Sequence, residues 1–296
     1  MTTPPIRYRS LDEDSGRWTG FPFRIGDLVV STRSKSGTTW MQQICALLVF
    51  KTPDLPAPLA DLSPWFDWLT APRETVLARV EAQRHRRFVK THTPLDGLPL
   101  DPRATYLVVA RHPLDIAVSM YHHRANLDRA RLRELAGLGR QDGPVEVDEP
   151  LHEWLLAWID DTTPPAENLD RVPGIFHHLV DAWGRRAEPN VVLVHYADLM
   201  ADLEGQMRAL AERLGEHVPE AAWPALVEAA TFASMRDRAE ELVPDRSGVV
   251  RDAKAFFRAG RSGSFAEVLS AAEVDRYHAR AATLAPPDLL TWLHRG

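Results

Sequence analysis

The segment that most restricts the fold is STRSKSGTTW, residues 31–40. A β-rich run, Asp27–Ser31 (DLVVS), leads into it, and an apolar helix from about Thr38 to Phe50 leads out. A loop leaving a strand for a helix turns backbone N–H groups toward its mouth, where the helix dipole favours an anion. Gly37 allows close backbone approach, Thr38 and Thr39 add hydroxyl donors, and Lys35 adds a charge able to follow a leaving oxygen. The nucleotide-hydrolase pattern G-x-x-x-x-G-K-[ST] carries its lysine after the second glycine, whereas Lys35 precedes Gly37. No apolar run ending in aspartate supplies the magnesium-holding partner of phosphoryl transfer. NTP hydrolysis and nucleotide-kinase chemistry are therefore disfavoured.

The same alternation continues along the chain. Arg87–Thr91 (RFVKT), Ala104–Ala110 (ATYLVVA) and Asn190–Tyr196 (NVVLVHY) read as strands. A helix follows the third strand with Pro113 near its first turn, where a missing N–H costs nothing. Further helices are expected around Leu199–Leu214 and Glu220–Phe232, with Gly215 as a stop between them. This predicts an α/β fold with a central, mainly parallel sheet flanked by helices. Ligands of such sheets sit at the carboxyl ends of the strands, where STRSKSGTTW falls. With no internal repeat and no Gly/Ser linker, residues 1–296 read as a single domain. The stretch around 128–170 is polar and charge-rich, interrupted by LHEWLLAWI. Trp154 and Trp158, four apart, share one helical face. Packing on the core is the favoured reading of that helix, and an acceptor-covering insertion is the sharper one.

Composition restricts the partners. A net charge of −6 and a pI near 6.1 give no global attraction to nucleic acid, so anion binding must come from a local cluster. Cys45 is the only cysteine and reads as a small buried hydrophobe. No basic leader with an apolar core and no apolar run of ~20 residues is present, which predicts a cytoplasmic protein without a membrane span. The basic residues number 35, yet the lysines are only Lys35, Lys51, Lys90 and Lys254. In so arginine-rich a chain, a lysine marks a place for a compact, mobile ammonium.

Three further segments carry chemistry. In RHPLDIAVSMYHH (111–123), Arg111 ends the third strand and Ser119 lies two helical turns on, so both face a second anionic group. In FVKTHTPLDGLP (88–99), Lys90 and His92 flank Thr91 and point the same way. That pairing suits proton abstraction by His92 with charge stabilisation by Lys90. In AFFRAGRSGSF (255–265), Arg258, Gly260, Arg261 and Gly263 form a basic, glycine-punctuated loop suited to closing over a phosphate. There is no H-E-x-x-H, and the pairs His122–His123 and His177–His178 read as local residues, so no metal is expected.

Together these segments resemble the sulfotransferases that use 3′-phosphoadenosine-5′-phosphosulfate (PAPS). RSKSGTTW is similar to their PKSGTTW-like loop, RHPLDIAVSMYH to RNPxDxxVSxYH, KTHTP to KTHxP, and FFRAGRSGSF to FxRKGxxGDW, in the family's order. The resemblance implies the family's P-loop-like fold. LSPWFDWL, QRHRRFVKTHTPLDGL and LAPPDLLTW also resemble actinobacterial glycolipid sulfotransferases. The resemblance implies that Lys35, Ser36, Gly37, Thr38 and Thr39 hold the 5′-phosphosulfate. Arg111, Ser119, Arg258, Ala259 and Gly260 would surround the 3′-phosphate, and Trp40, with Tyr196 and Phe232, would take the adenine. It implies His92 as general base, Lys35 and Lys90 as charge stabilisers, Ser119 as a restraint on Lys35, and PAP as product. Ala259 stands where lysine is usual and Ser264–Phe265 where Asp-Trp is usual, leaving open whether Arg261 substitutes. The implied reaction is sulfuryl transfer to a hydroxyl of a phenol, a sterol-like alcohol or a glycolipid; the alternative is a nucleotide-binding protein of the same fold without turnover. The tryptophans of Ser63–Leu69, with Trp154 and Trp158, are candidates for an acceptor wall or for core.

Overall fold

The computed structural model describes residues 4–139, 149–243, 247–258 and 260–295. Four strands, β1 (Leu28–Ser31), β2 (Phe88–Thr91), β3 (Thr105–Ala110) and β4 (Val191–His195), form one parallel sheet in the order β2-β1-β3-β4. The register pairs Ser31 with Thr91, Val30 with Leu107 and Ala110 with His195, so β1, β2 and β3 deliver their carboxyl ends to one edge.

The strands are apolar on both faces because both are covered. Leu28, Val30, Phe88, Leu107 and Val109 pack with Ile44 and Leu47 of the Thr38–Phe50 helix. The alternating residues Val29, Val89, Tyr106 and Val108 pack the other way, on Trp18, Phe21 and Phe66. This period of two sends alternate apolar residues of the strands to opposite cores. A third cluster joins the Pro113–Ala125 helix to the Leu151–Asp160 helix, and Trp154 and Trp158 are buried within it. Those two indoles are core, as favoured from their spacing.

Several expected boundaries move. The Asn190–Tyr196 strand stops at His195, and Tyr196 opens a short helix to Ala201. The expected Leu199–Leu214 helix is two, broken at Asp202, whose side chain caps the second by accepting from the Gly205 N–H at 2.9 Å. Gly215 does end it, at φ 68°. The Glu220–Phe232 helix is likewise divided: Trp223–Ala229 stops, and Phe232 starts a new helix to Asp237. These breaks turn Tyr196 and Phe232 toward the sheet edge.

At the opposite end of the sheet, Arg87 and Asp27 form a buried pair. Arg87 Nε donates to Asp27 Oδ1 at 2.8 Å, Nη2 to Asp27 Oδ2, and Nη2 also to the Pro22 carbonyl at 2.9 Å. Removing one partner of such a pair strands the other charge, at about 3–5 kcal/mol. Arg87→Ala is therefore expected to lower unfolding stability by about that amount, read from urea denaturation, without acting directly on the distant strand ends.

Candidate active site

The loop after β1 is shaped by two left-handed residues, Lys35 at φ 65° and Gly37 at φ 107°. Their positive φ values curl the chain so that successive N–H groups face one concavity, an arrangement that binds anions. Gly37 caps the Thr38–Phe50 helix without a side chain, leaving the first-turn N–H groups directed at that concavity. A Cβ on Gly37 would lie 3.0 Å from Tyr196 Cδ2 and 3.4 Å from Val109 Cγ1, so glycine is required by space as well as by φ. Thr39 faces the cavity. The Thr38 hydroxyl bonds that of Thr32, and buried Ser36 lies beneath the loop, its N–H given to the Arg33 carbonyl at 3.2 Å.

Beside this loop, β2 presents Lys90 and, just past its end, His92. The Lys90 ammonium stands 3.5 Å from the centre of the Trp65 ring, and the same ring meets His92 edge-on at 4.5 Å. His92 Nδ1 bonds the Thr32 carbonyl. A carbonyl only accepts, so the proton is on Nδ1 and Nε2 keeps its lone pair. Behind the strand, Asp67 accepts from the hydroxyls of Thr91 and, at 2.6 Å, Thr93. That fixes the KTHT backbone from the core side.

Arg111 leaves the end of β3 and donates to the Lys35 carbonyl at 3.2 Å and the Arg261 carbonyl at 3.0 Å, with its guanidinium 4.5 Å from the Tyr196 ring centre. It thus ties the first loop to the closing loop. Asp115, in the first turn of the following helix, accepts from the Gly263 N–H at 2.9 and 3.0 Å, and His112 stacks on Phe265 at 4.6 Å. One segment therefore supplies both a cation for the cavity and the anchor of the loop that closes it. In that loop Gly260 sits at φ 59°, and a Cβ there would lie 2.5 Å from Phe232 Cγ.

These elements enclose a cavity of about 310 Å³. Lys35, Gly37, Thr38, Thr39, Trp40, Lys90, His92, Arg111, Ser119, Tyr196, Phe232, Arg258 and Gly260 all line it. Trp40 and Tyr196 meet edge-to-face at 5.1 Å, and Trp40 is pinned by its Nε1–H to the Ala230 carbonyl at 2.8 Å. Burial, reinforced by Arg111, Lys90 and Arg258, pushes Lys35 down to about 7. Burial, then Lys90 and Arg33, holds His92 well below the usual imidazole range, so it is neutral at pH 7. A neutral imidazole beside a crowd of cations is fitted to accept a proton, and the crowd to receive anions.

Some expectations from sequence resolve differently. The Lys35 ammonium lies 3.5 Å from the Phe256 carbonyl oxygen and 4.0 Å from the centre of its ring. The Arg261 guanidinium is engaged with Glu267 at 2.7 and 2.9 Å at the surface. Ala259 lies outside the described residues. Of the tryptophan candidates, Trp65 and Trp68 line the cavity, stacked at 4.6 Å, while Trp154 and Trp158 do not. Sequence reasoning missed Asp115, Arg33, Asp12, Glu13 and His123. Asp115 had a signal, an aspartate one helical turn after Arg111; Asp12 and Glu13 come from the N-terminal segment and had none. Among the described residues, no group of three or more His, Cys, Asp or Glu side chains is placed to share a metal ion.

The Gly260–Phe232 contact gives a direct test. Gly260→Ala must push the Phe232 ring away and strain a left-handed backbone position. Calorimetry should show affinity for adenosine 3′,5′-bisphosphate (PAP) reduced by about tenfold or more, on the order of 1.4 kcal/mol, with the melting temperature little changed.

Comparison with known proteins agrees with this geometry. The family model described as the sulfotransferase domain matches residues 26–283. The glycolipid sulfotransferase of Mycobacterium tuberculosis is 41% identical over 316 residues, covering 99% of this chain and 95% of the relative. Sulfotransferase 1C2 of Oryctolagus cuniculus is 24% identical over 277 residues, covering 90% and 86%. Among solved structures, a mouse sulfotransferase complexed with PAP shares the fold, with a TM-score of 0.69 at 17% identity over 94% of this chain and 92% of that one. With a match across most of its length and a relative at 41% identity, the chain belongs to the sulfotransferase family.

Proposed function

We propose that this protein transfers the sulfuryl group of PAPS to a hydroxyl of a glycolipid, with His92 as general base. The observation that carries the proposal is the meeting, in one cavity, of a neutral histidine with Lys35, Lys90, Arg111 and Arg258. The residues fit the donor. The helix N-terminus with Lys35, Thr38 and Thr39 suits the 5′-phosphosulfate, and Ser36 contributes through the loop backbone. Arg111, Ser119, Arg258 and the closing-loop backbone at Gly260 suit the 3′-phosphate. Trp40, Tyr196 and Phe232 offer aromatic surface to the adenine.

His92 Nε2 takes the proton of the acceptor hydroxyl as its oxygen forms a bond to sulfur, and the bond from sulfur to the phosphate oxygen breaks on the opposite side. Lys35 stabilises the charge left on that oxygen, and Lys90 the sulfuryl oxygens in flight. Without donor the Lys35 ammonium rests against Phe256; Ser119, which lines the same cavity, is assigned the restraint on Lys35 once the donor is bound and before the acceptor arrives.

The acceptor side of the cavity has two characters, which supports a glycolipid over a flat phenol. Asp12 and Glu13, beside the Trp65–Trp68 stack, offer acceptors and a flat apolar face to a sugar ring, whereas Leu127, Leu132, Val249 and Val250 offer a wall to an alkyl chain. Arg129 and Leu132 belong to the beginning of the 128–170 segment expected to cover the acceptor, with Leu127 just before it, and Asp170 ends it; residues 140–148 lie outside the described ones. The proposed setting is cytoplasmic, acting on lipid headgroups without a membrane span of its own. No helix among the described residues is long and apolar enough to cross a membrane.

A transfer assay with labelled PAPS and a panel of glycolipids, sterols and phenols tests the function. The expected result is turnover of a glycolipid. PAP binding without turnover of any acceptor would leave a binding protein of the same fold. His92→Ala is expected to abolish transfer while PAP affinity stays near that of the unaltered protein; equal transfer would remove His92 from the base role. The lowered Lys35 supplies a pH test. A group at about 7 when free and raised by a bound anion takes up a proton on binding at any pH between the two values. PAP affinity should therefore be flat below about pH 7, weaken by up to about tenfold per pH unit between the two values, and level off above the upper one, with calorimetry in two buffers showing the proton uptake. Lys35→Met should remove it.

A further inference from the structure

Arg33 belongs to the phosphate loop in sequence, yet it takes no part in the chemistry described above. Its side chain is only 4% exposed, and its partners come from three separate parts of the chain. Nη1 donates to the His92 carbonyl and reaches Glu13 Oε2 at 3.5 Å, and Nη2 donates to Asp170 Oδ1 at 2.5 Å. One residue earlier, the Thr32 carbonyl accepts the Nδ1–H of His92. Residues 32 and 33 therefore hold His92 at both its ring and its backbone.

A second hold is needed for a geometric reason. Thr91 is the last residue of β2, and the parallel pairing of β1 with β2 ends at Ser31–Thr91. Thr32 N–H still reaches the Thr91 carbonyl at 3.2 Å, and Thr93 N–H reaches the Thr91 hydroxyl at 3.0 Å, but the His92 carbonyl stands beyond that register and takes its hydrogen bond from Arg33. A general base must stand within hydrogen-bond reach of one particular proton, and a misplacement of an ångström is costly. Glu13 and Asp170, which hold the guanidinium from the other side, both line the acceptor region of the cavity. Asp170 is itself fixed through its carbonyl, which accepts from Trp158 Nε1–H at 3.2 Å, and through its N–H, given to Asn168 at 2.8 Å.

We infer that Arg33 is a positioning residue: it clamps the His92 carbonyl against Glu13 and Asp170, and so links the setting of the base to the docking of the segment that ends at Asp170. The inference rests on the assignment of His92 as base. The cations facing the imidazole are Lys90 on β2 and Arg33 on the first loop; His178 on the Val172–Gly184 helix also faces it but is neutral, pushed down to about 3 by burial. Asp67 behind β2 and Asp170 are the acidic groups nearby, with Asp12 and Glu13 of the N-terminal segment, whose carboxyls burial pushes up, Glu13 well above the usual carboxylate range. Arg33 is one of the cations that keep His92 neutral. Its loss would raise the imidazole, and Asp170 left without it would act in the same direction.

The test compares Arg33→Lys, Arg33→Gln and Asp170→Asn in the PAPS transfer assay, with PAP affinity by calorimetry and the pH dependence of kcat/KM. Asp170 is 40% exposed, so Asp170→Asn is expected to fold even if an Arg33 variant does not. Arg33→Lys keeps the charge but has no fork to bridge three partners. Both it and Asp170→Asn should lower kcat by about tenfold or more, with PAP affinity unchanged. Arg33→Gln should do the same and also move the acid limb of the profile to higher pH, because the base then needs a higher pH to be neutral. A kcat equal to the unaltered protein's in Asp170→Asn, or a loss of PAP affinity matching the loss of kcat, would overturn the inference. An inactive parent protein on every acceptor would instead count against the proposed function, since only an active parent with active variants isolates Arg33.

Discussion

Mutual repulsion among cations at one edge of the sheet governs this site. Lys35, Lys90, Arg111 and Arg258 converge where β1, β2 and β3 end, and their crowding, on top of burial, is what brings Lys35 down to about 7. Such a cluster is costly to assemble in an empty protein and is relieved by an anion carrying more than one charge. Left-handed backbone at Lys35 and Gly37 adds the dipoles of a helix start to the same place. Lys90 belongs to this crowd and, after burial and together with Arg33, also holds His92 neutral.

The fold sustains this strain by fixing the cluster from behind. The strands are buried on both faces, Asp67 secures the threonines on either side of His92, and Arg87–Asp27 locks the far end of the sheet. The closing loop is held by Asp115 and by the His112–Phe265 stack, both from the segment that supplies Arg111. Arg111, which lines the cavity, and the residues that anchor the closing loop thus lie close together in one segment, which makes the geometry of one depend on the other. The sulfotransferase family membership fits this economy, in which charge and position supply the catalysis.

Much of the fold was legible because its signals are local. A strand covered on both faces must be apolar throughout, and a helix entered through glycine announces itself, so Leu28–Ser31, Thr38–Phe50 and Thr105–Ala110 lie close to where the pattern puts them. Helix breaks were less legible. Nothing in the apolar periodicity shows that Asp202 caps a second helix or that Phe232 starts a new one, since a cap depends on which N–H its side chain finds. The tryptophans make the same point: Trp154 and Trp158 read as core from spacing, but Trp65 and Trp68 face the cavity while Phe66 between them faces the core.

By itself the sequence determined the parallel α/β class, the anion-binding loop and the residue types able to move a proton and balance charge. Each depends on neighbours a few positions apart, and the order of motifs along the chain carried the family. Only the tertiary structure decided which distant residues complete the site. Glu13, Arg33, His92 and Asp170 are far apart in the chain yet share one guanidinium, and Asp115 meets Gly263 across 148 positions. No local pattern encodes such contacts, because they exist only once three strands have aligned their ends and buried charges must find partners there.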